Sequence, residues 1–178
     1  IADYRETKEH ILSLVRDCCQ TDADLILLPE CAFPGYFIGL CPDAWKEELA
    51  SLKESLSRLA GTFGKYIAAG LADEENGALY NRLIVYGRNG SALAVCDKSN
   101  LWHFDSSWFT PGEQFPVFDT EFGRIGCMIC ADGRIPEIAR CLALKGARLI
   151  LDAVNLVSAA ALPPQLSNQQ YAFIPGPR

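Results

Sequence analysis

Only two of the 178 residues are histidines, His10 and His103, and only one is methionine. Neither histidine stands in a triad-like setting and no G-x-S-x-G elbow occurs, which argues against a serine hydrolase of the histidine-activated kind. A zinc site is poorly supplied as well, because it needs four ligands, usually as two separated pairs. Long apolar runs are also missing. "DLILLPE" and "RLILDAVNLV" are strand-sized and fall well short of a bilayer span. There is no basic cluster, and a net charge of -6 argues against nucleic acid or an anionic membrane as partner. Nothing at the start reads as a signal peptide, so export is not expected. No repeat, low-complexity tract or linker interrupts the chain.

Hydrophobic residues make up 49% and charged residues 21%, the balance of a soluble globular chain. The length suits one domain with a real core. Eight cysteines, Cys18, Cys19, Cys31, Cys41, Cys96, Cys127, Cys130 and Cys141, are too few for a disulfide scaffold. Free thiols in a reducing cytoplasm are the expectation.

Ile11, Leu14, Val15 and Cys18 keep helical spacing among charged residues, which predicts an amphipathic helix from Tyr4 to Gln20. Asp24 to Leu28 reads as a buried strand stopped by Pro29, followed by the loop "CAFPGYFIGLCPD". Leu49, Leu52, Leu56, Leu59, Ala60 and Phe63 mark a second helix ending near Gly64. Three strand-like runs follow, "YIAAGLA", "ALYNRLIVYG" and "SALAVCDK". Asn76-Gly77 and Asn89-Gly90 between them signal tight hairpins. "FPVFDTEFGRIGCMIC" reads as two strands around a turn, Pro136 to Gly146 as a helix, and "RLILDA" as a last strand. The tail "AAALPPQLSNQQYAFIPGPR" reads as a loop or a broken-off helix. Helices alternating with buried strands, with hairpins between, predict an α/β sheet of mixed direction covered by helices on one face.

The segment "GCMICADGRIPE" holds two cysteines three apart, Cys127 and Cys130. Residues three apart on a strand face opposite sides, so the two do not converge on a metal or form a redox pair. A bland core role is the natural reading for Cys18, Cys96, Cys127 and Cys141. Cys130 differs: it is the last apolar residue before "ADG", at the carboxyl end of a strand just ahead of a helix. Chemistry gathers at such strand ends in α/β sheets. The sharp turn would expose its sulfur and aim backbone N–H groups, including that of Ala131, at one point, as a nucleophile with an oxyanion site requires. Glu30, after "LILLP", and Lys98, ending "SALAVCDK", occupy comparable places. Taken singly, each fits a solvated charge just outside a sheet.

"LPECAFPGY" around Glu30, "KSNLWHFDSSWFTPG" from Lys98 and "GCMICADGRIPEIAR" around Cys130 resemble, in order and spacing, the three signature blocks of the nitrilase, or carbon–nitrogen hydrolase, superfamily. The resemblance covers nearly the whole chain. It implies an αββα sandwich, commonly assembled into homo-oligomers through a helical face. It further implies a nucleophile at Cys130, a general base at Glu30 and a lysine at Lys98. Asp105 stands where many members have Glu, and Asn100 where a His commonly follows the lysine. Members usually have a strand before the first helix and further strands beyond "QYAFIPGPR". Residues 1–178 are therefore expected to form one incomplete carbon–nitrogen hydrolase domain, an excerpt of a longer protein or a shortened paralogue.

The resemblance thus implies hydrolysis of a small-molecule amide, carbamoyl amide or nitrile through a Cys130 thioester. Lys98 and the Ala131 N–H would stabilise the oxyanion, Asp105 would assist, and neither metal nor organic cofactor is needed. Phe33, Tyr36, Phe37, Trp102, Trp108 and Asn155 are candidate pocket-liners, though core packing suits the aromatics as well. A non-catalytic role in assembly or regulation is the competing class.

Overall fold

A computed structural model of the chain describes residues 3–38 and 43–156, the Phe104 side chain excepted. The predicted tail structure and Cys41 lie outside those residues. The described elements are α1 (Tyr4–Cys19), β1 (Leu25–Leu27), α2 (Trp45–Phe63), β2 (Tyr66–Glu75), β3 (Ala78–Tyr86), β4 (Ala92–Asp97), β5 (Val117–Thr120), β6 (Gly123–Ile129), α3 (Pro136–Leu144) and β7 (Leu149–Ala153). Two short 3₁₀ turns, His103–Ser107 and Cys130–Arg134, complete them.

There are two sheets, not one. The first has the order β1-β2-β3-β4, parallel at β1/β2 and antiparallel thereafter; the second has the order β5-β6-β7, with β6 and β7 parallel. The alternation along β3 explains the layering. Ile84 and Tyr86 face α1 and α2, while Leu83 and Val85 face the second sheet. On β6, Ile125, Cys127 and Ile129 meet that inter-sheet core, and Gly126 on the opposite face lies against Leu142 of α3. Helices therefore cover both outer faces, giving the αββα sandwich. The pattern of single strands could not separate one sheet from two, because each inner face is apolar in either arrangement.

Smaller corrections follow from the same packing. α1 starts at Asp3, whose carboxylate accepts the Glu6 N–H at 3.0 Å, an N-cap that satisfies an otherwise orphan donor. Its buried face is Tyr4, Lys8, Ile11, Leu12, Val15 and Cys19, a stripe rotated from the predicted one; Leu14 is 49% exposed and Cys18 is exposed. Cys141 is also exposed, so the core role fits Cys96 and Cys127 but not Cys18 or Cys141. Asn76 and Gly77 both have positive φ (53° and 78°) and join β2 to β3 as a two-residue hairpin. Asn89-Gly90 instead belongs to a three-residue loop in which only Gly90 has positive φ (82°).

Two glycines fix the strand ends that matter below. Beyond β1 the chain keeps alongside β2, with Ala32 N–H bonded to the Gly70 carbonyl at 2.8 Å. A Cβ on Gly70 would lie 2.2 Å from the Pro29 carbonyl oxygen and 2.8 Å from the Glu30 Cα. Likewise Gly112 donates to the Lys98 carbonyl at 2.9 Å, and a Cβ there would meet the Asp97 carbonyl oxygen at 2.2 Å. Gly70→Ala is expected to cost about 1–3 kcal/mol by overpacking against backbone that cannot yield. Urea unfolding measures the loss; full stability would show that Pro29–Glu30 is not held against β2.

Candidate active site

Three strand ends converge. Glu30 follows β1, Lys98 follows β4, and Cys130 follows β6 of the facing sheet. The Lys98 Nζ donates to Glu30 Oε1 at 2.7 Å and to Asp105 Oδ2 at 2.5 Å, and all three side chains are fully buried. Burial alone would lower the lysine pKa, but the charges and hydrogen bonds of Glu30 and Asp105 more than offset it and hold the ammonium above its ordinary value. The negative charge of Glu30 also acts on the Cys130 thiol and raises its pKa. The residues predicted from sequence, Glu30, Lys98 and Cys130, with Asp105 beside them, therefore share one cluster.

Cys130 opens the turn after β6 with φ of +48°, a backbone region that non-glycine residues seldom adopt. Asp152 of β7 secures it by accepting the Cys130 N–H at 2.6 Å. Asp132 secures the flanks. Its Oδ2 accepts the Ile129 N–H at 3.0 Å, and its Oδ1 accepts those of Ser99 and Asn100 at 3.2 and 2.7 Å. One buried carboxylate thus ties the lysine loop to the cysteine turn. Asn100 strengthens that tie, donating from Nδ2 to the carbonyl of buried Ala131 at 2.8 Å. Cys130 itself is half-buried. Burial first, then the charge of Glu30, push its thiol up to about 11, against weaker pulls from Lys98 and the Asn155 N–H. The resting sulfur is a thiol.

The other candidates divide. Asn155 turns to Glu30, its N–H donating to Oε2 at 3.1 Å and its Nδ2 to the Glu30 carbonyl at 3.3 Å. Buried Tyr36 donates its hydroxyl to Asp105 Oδ1 at 2.9 Å, with its ring 5.8 Å from the Lys98 Nζ. Phe33 is wholly buried in the helix-side core and is no pocket-liner. Phe37 meets the Tyr36 ring edge-on at 5.8 Å, and Trp108 packs partly buried on that core. Trp102 bonds its backbone N–H to Asp105 Oδ2 at 3.1 Å, and Arg134 lies over its ring at 5.3 Å.

Sequence reading missed three residues, Asn81, Asp132 and Asp152. Asn81 of β3 is buried and donates from Nδ2 to Glu30 Oε1 at 2.8 Å. Each missed residue leaves a trace, since Asn81 and Asp152 interrupt apolar strands and Asp132 follows Cys130 by two. Buried polar groups inside apolar strands need partners, and that is the signal. Among the described residues no group of His, Cys, Asp and Glu could hold a metal ion.

Comparison with known proteins adds the following. The chain is 32% identical over 161 residues to the omega-amidase NIT2 of Mus musculus, covering 84% of this chain and 58% of that one. It is 34% identical over 154 residues to a nitrilase of Pyrococcus abyssi, covering 81% and 56%. The chain spans about three fifths of the length of the curated relatives it matches. A carbon-nitrogen hydrolase structure from Helicobacter pylori superposes with a TM-score of 0.80 at 25% identity, covering 94% and 60% of the two chains. An amidase from Nesterenkonia sp. gives 0.79 at 24%, covering 88% and 63%, a likeness of fold. The carbon-nitrogen hydrolase family profile matches residues 2–172. With the αββα layering and the three converging strand ends, that match places this chain in the carbon-nitrogen hydrolase family.

Proposed function

We propose that this site hydrolyses the C–N bond of a small linear amide by thiol catalysis. One observation carries the reading: a single buried carboxylate, Glu30, takes the Lys98 ammonium at 2.7 Å and acts through its charge on the Cys130 thiol. A thiol held up near 11 is not a preformed nucleophile at neutral pH, so attack requires a base in contact, and Glu30 is that base.

Cys130 Sγ bonds to the carbonyl carbon as its proton passes to Glu30. The carbonyl π pair moves to oxygen, and the oxyanion is met by Lys98 and the Ala131 N–H. The donor inventory supports this division. Lys98 has three N–H bonds, of which two go to Glu30 and Asp105, leaving one for substrate. The Cys130 N–H is already committed to Asp152. Collapse breaks the C–N bond and expels ammonia or an amine, with Glu30 returning the proton. Water, deprotonated by Glu30, then attacks the thioester, and the acid leaves as Cys130 recovers its proton. Asp105, set by Tyr36 and the Trp102 N–H, orients Lys98.

The named omega-amidases favour amides, and carbamoyl amides share the same scissile bond. The nitrilase relative keeps nitriles as a second substrate class, attacked by the same sulfur. We place the protein in a reducing compartment, which the free cysteines among the described residues support. Assembly into a homo-oligomer is proposed from family membership alone.

The direct test is ammonia release across a panel of amides, carbamoyl amino acids and nitriles. Cys130→Ser is expected to abolish it with little loss of Tm; full turnover in that variant, or an inert wild type, refutes the reading. Glu30→Gln is expected to lower kcat by about 10²–10⁴-fold. In the same variant the Cys130 thiol ionises at lower pH than about 11, because the charge of Glu30 raises it. The pH dependence of alkylation at the Cys130 peptide, read by mass, reports that direction. Exposed Cys18 and Cys141 serve as internal references.

Lys98→Met is expected to abolish turnover and also to destabilise the fold by about 3–5 kcal/mol, since it leaves Glu30 and Asp105 buried without their cation. Adding Asp105→Asn should recover part of the stability and none of the activity. Urea melts beside ammonia assays separate the two effects; equal recovery of both would assign Lys98 a structural role alone.

A further inference from the structure

Asn81 interrupts the apolar run of β3 at the level of the site. β3 lies between β2 and β4, so Asn81 stands across the sheet between the strand ends that deliver Glu30 and Lys98. Its carbonyl accepts the Lys98 N–H at 2.8 Å, which fixes the lysine's register. Its Nδ2 donates at 2.8 Å to Glu30 Oε1, the oxygen that also takes the Lys98 Nζ at 2.7 Å. The opposite amide orientation would set two acceptors face to face, so Glu30 decides which end points where. That leaves Oδ1, buried in a residue 1% exposed, with no hydrogen-bond partner among the described residues. A buried acceptor in that state is uncommon and calls for a donor. Because Oδ1 and Nδ2 share one carbon, this acceptor sits beside the Glu30 carboxylate.

We propose that Asn81 is a positioning residue for Glu30 and the acceptor at the leaving-group position. This rests on the hydrolase reading of Glu30. Nδ2 holds the carboxylate in one rotamer. Oδ1 accepts an N–H of the departing ammonia or amine and then, once that has left, an O–H of the water that takes its place. With one hydrogen given to Glu30 and the other held by Asn81, the water's lone pair is directed at the thioester carbon. The same two groups thus serve both halves of the reaction, as the symmetry of expulsion and attack requires.

Asn81→Asp removes the donor to Glu30 and adds a like charge beside it, which disfavours the ionised base. The acid limb of the kcat/KM profile should move upward by about one pH unit. The added negative charge also raises the Cys130 thiol, and a rise of about one pH unit there slows its iodoacetamide alkylation about tenfold at pH 7. Asn81→Ser adds no charge and guards against a folding failure of the first variant; it should lower kcat while leaving the acid limb closer to wild type. A fall in Tm with the acid limb and alkylation profile unmoved would overturn the proposal and leave Asn81 a core residue. Alkylation is read without substrate. A wild type that cleaves no amide, with its alkylation profile still displaced by Asn81→Asp, would refute the hydrolase reading and uphold the positioning role. An active wild type with an undisplaced profile would refute the positioning role alone.

Discussion

Lys98 carries its charge on a side chain with no exposed surface, and that one buried ammonium organises everything around it. Desolvating such a group is expensive unless charges and hydrogen bonds replace the lost hydration. Glu30 and Asp105 supply both, and each is itself fully buried. Their remaining lone pairs are then occupied in turn: Asn81 and Asn155 on Glu30, Tyr36 and the Trp102 N–H on Asp105. The cluster is costly in its parts and, Asn81 Oδ1 apart, satisfied among the described residues, a condition that fixes the position of each member.

Its geometry follows from strand pairing. Parallel β1 and β2 carry Glu30 to the same sheet end that antiparallel β4 reaches with Lys98. Gly70 and Gly112 let the two carriers press against neighbouring backbone. The second sheet brings Cys130 in from the opposite side of the inter-sheet core. Asp132 then closes the gap between sheets by binding N–H groups from both the lysine loop and the cysteine turn. A sandwich whose layers could slide would part the Cys130 thiol from Glu30. This carboxylate is a strap against that motion.

How much of this was legible in the residues differs by level. The three central side chains were, because reactive types at the ends of apolar runs stand out and because ordered motif blocks resemble a known family. The helices and most strands were legible for a simpler reason, the periodicity of α2 and the hairpin signal at Asn76-Gly77. The split into two sheets was not, since an apolar inner face looks alike against a helix or another sheet. The α1 stripe was misplaced by a fraction of a turn, because Leu14 and Cys18 also keep helical spacing and only tertiary packing decides between adjacent stripes. Location in loops marks Asn155 and Tyr36 as pocket-liners; their side chains turn inward to Glu30 and Asp105, a direction that spacing does not encode.

The replacement of the more usual Glu by Asp105 finds its physical account in the same cluster. A carboxylate one methylene shorter must be carried closer to reach the ammonium. The 3₁₀ turn His103–Ser107 does this, bonding the Trp102 N–H to Asp105 Oδ2 and the Asp105 N–H to the Trp102 carbonyl at 3.0 Å. The Tyr36 hydroxyl then takes the outer oxygen, so the shorter side chain is held from both sides. Burial and the facing carboxylates, Asp105 foremost, push the Tyr36 phenol well above its ordinary range, which keeps it a donor at any working pH. Asn100 is accounted for similarly, its amide spanning from the lysine loop to the Ala131 carbonyl. Both departures from the common pattern therefore act on placement: Asp105 sets where the ammonium points, and Asn100 sets where the Cys130 turn rests against it.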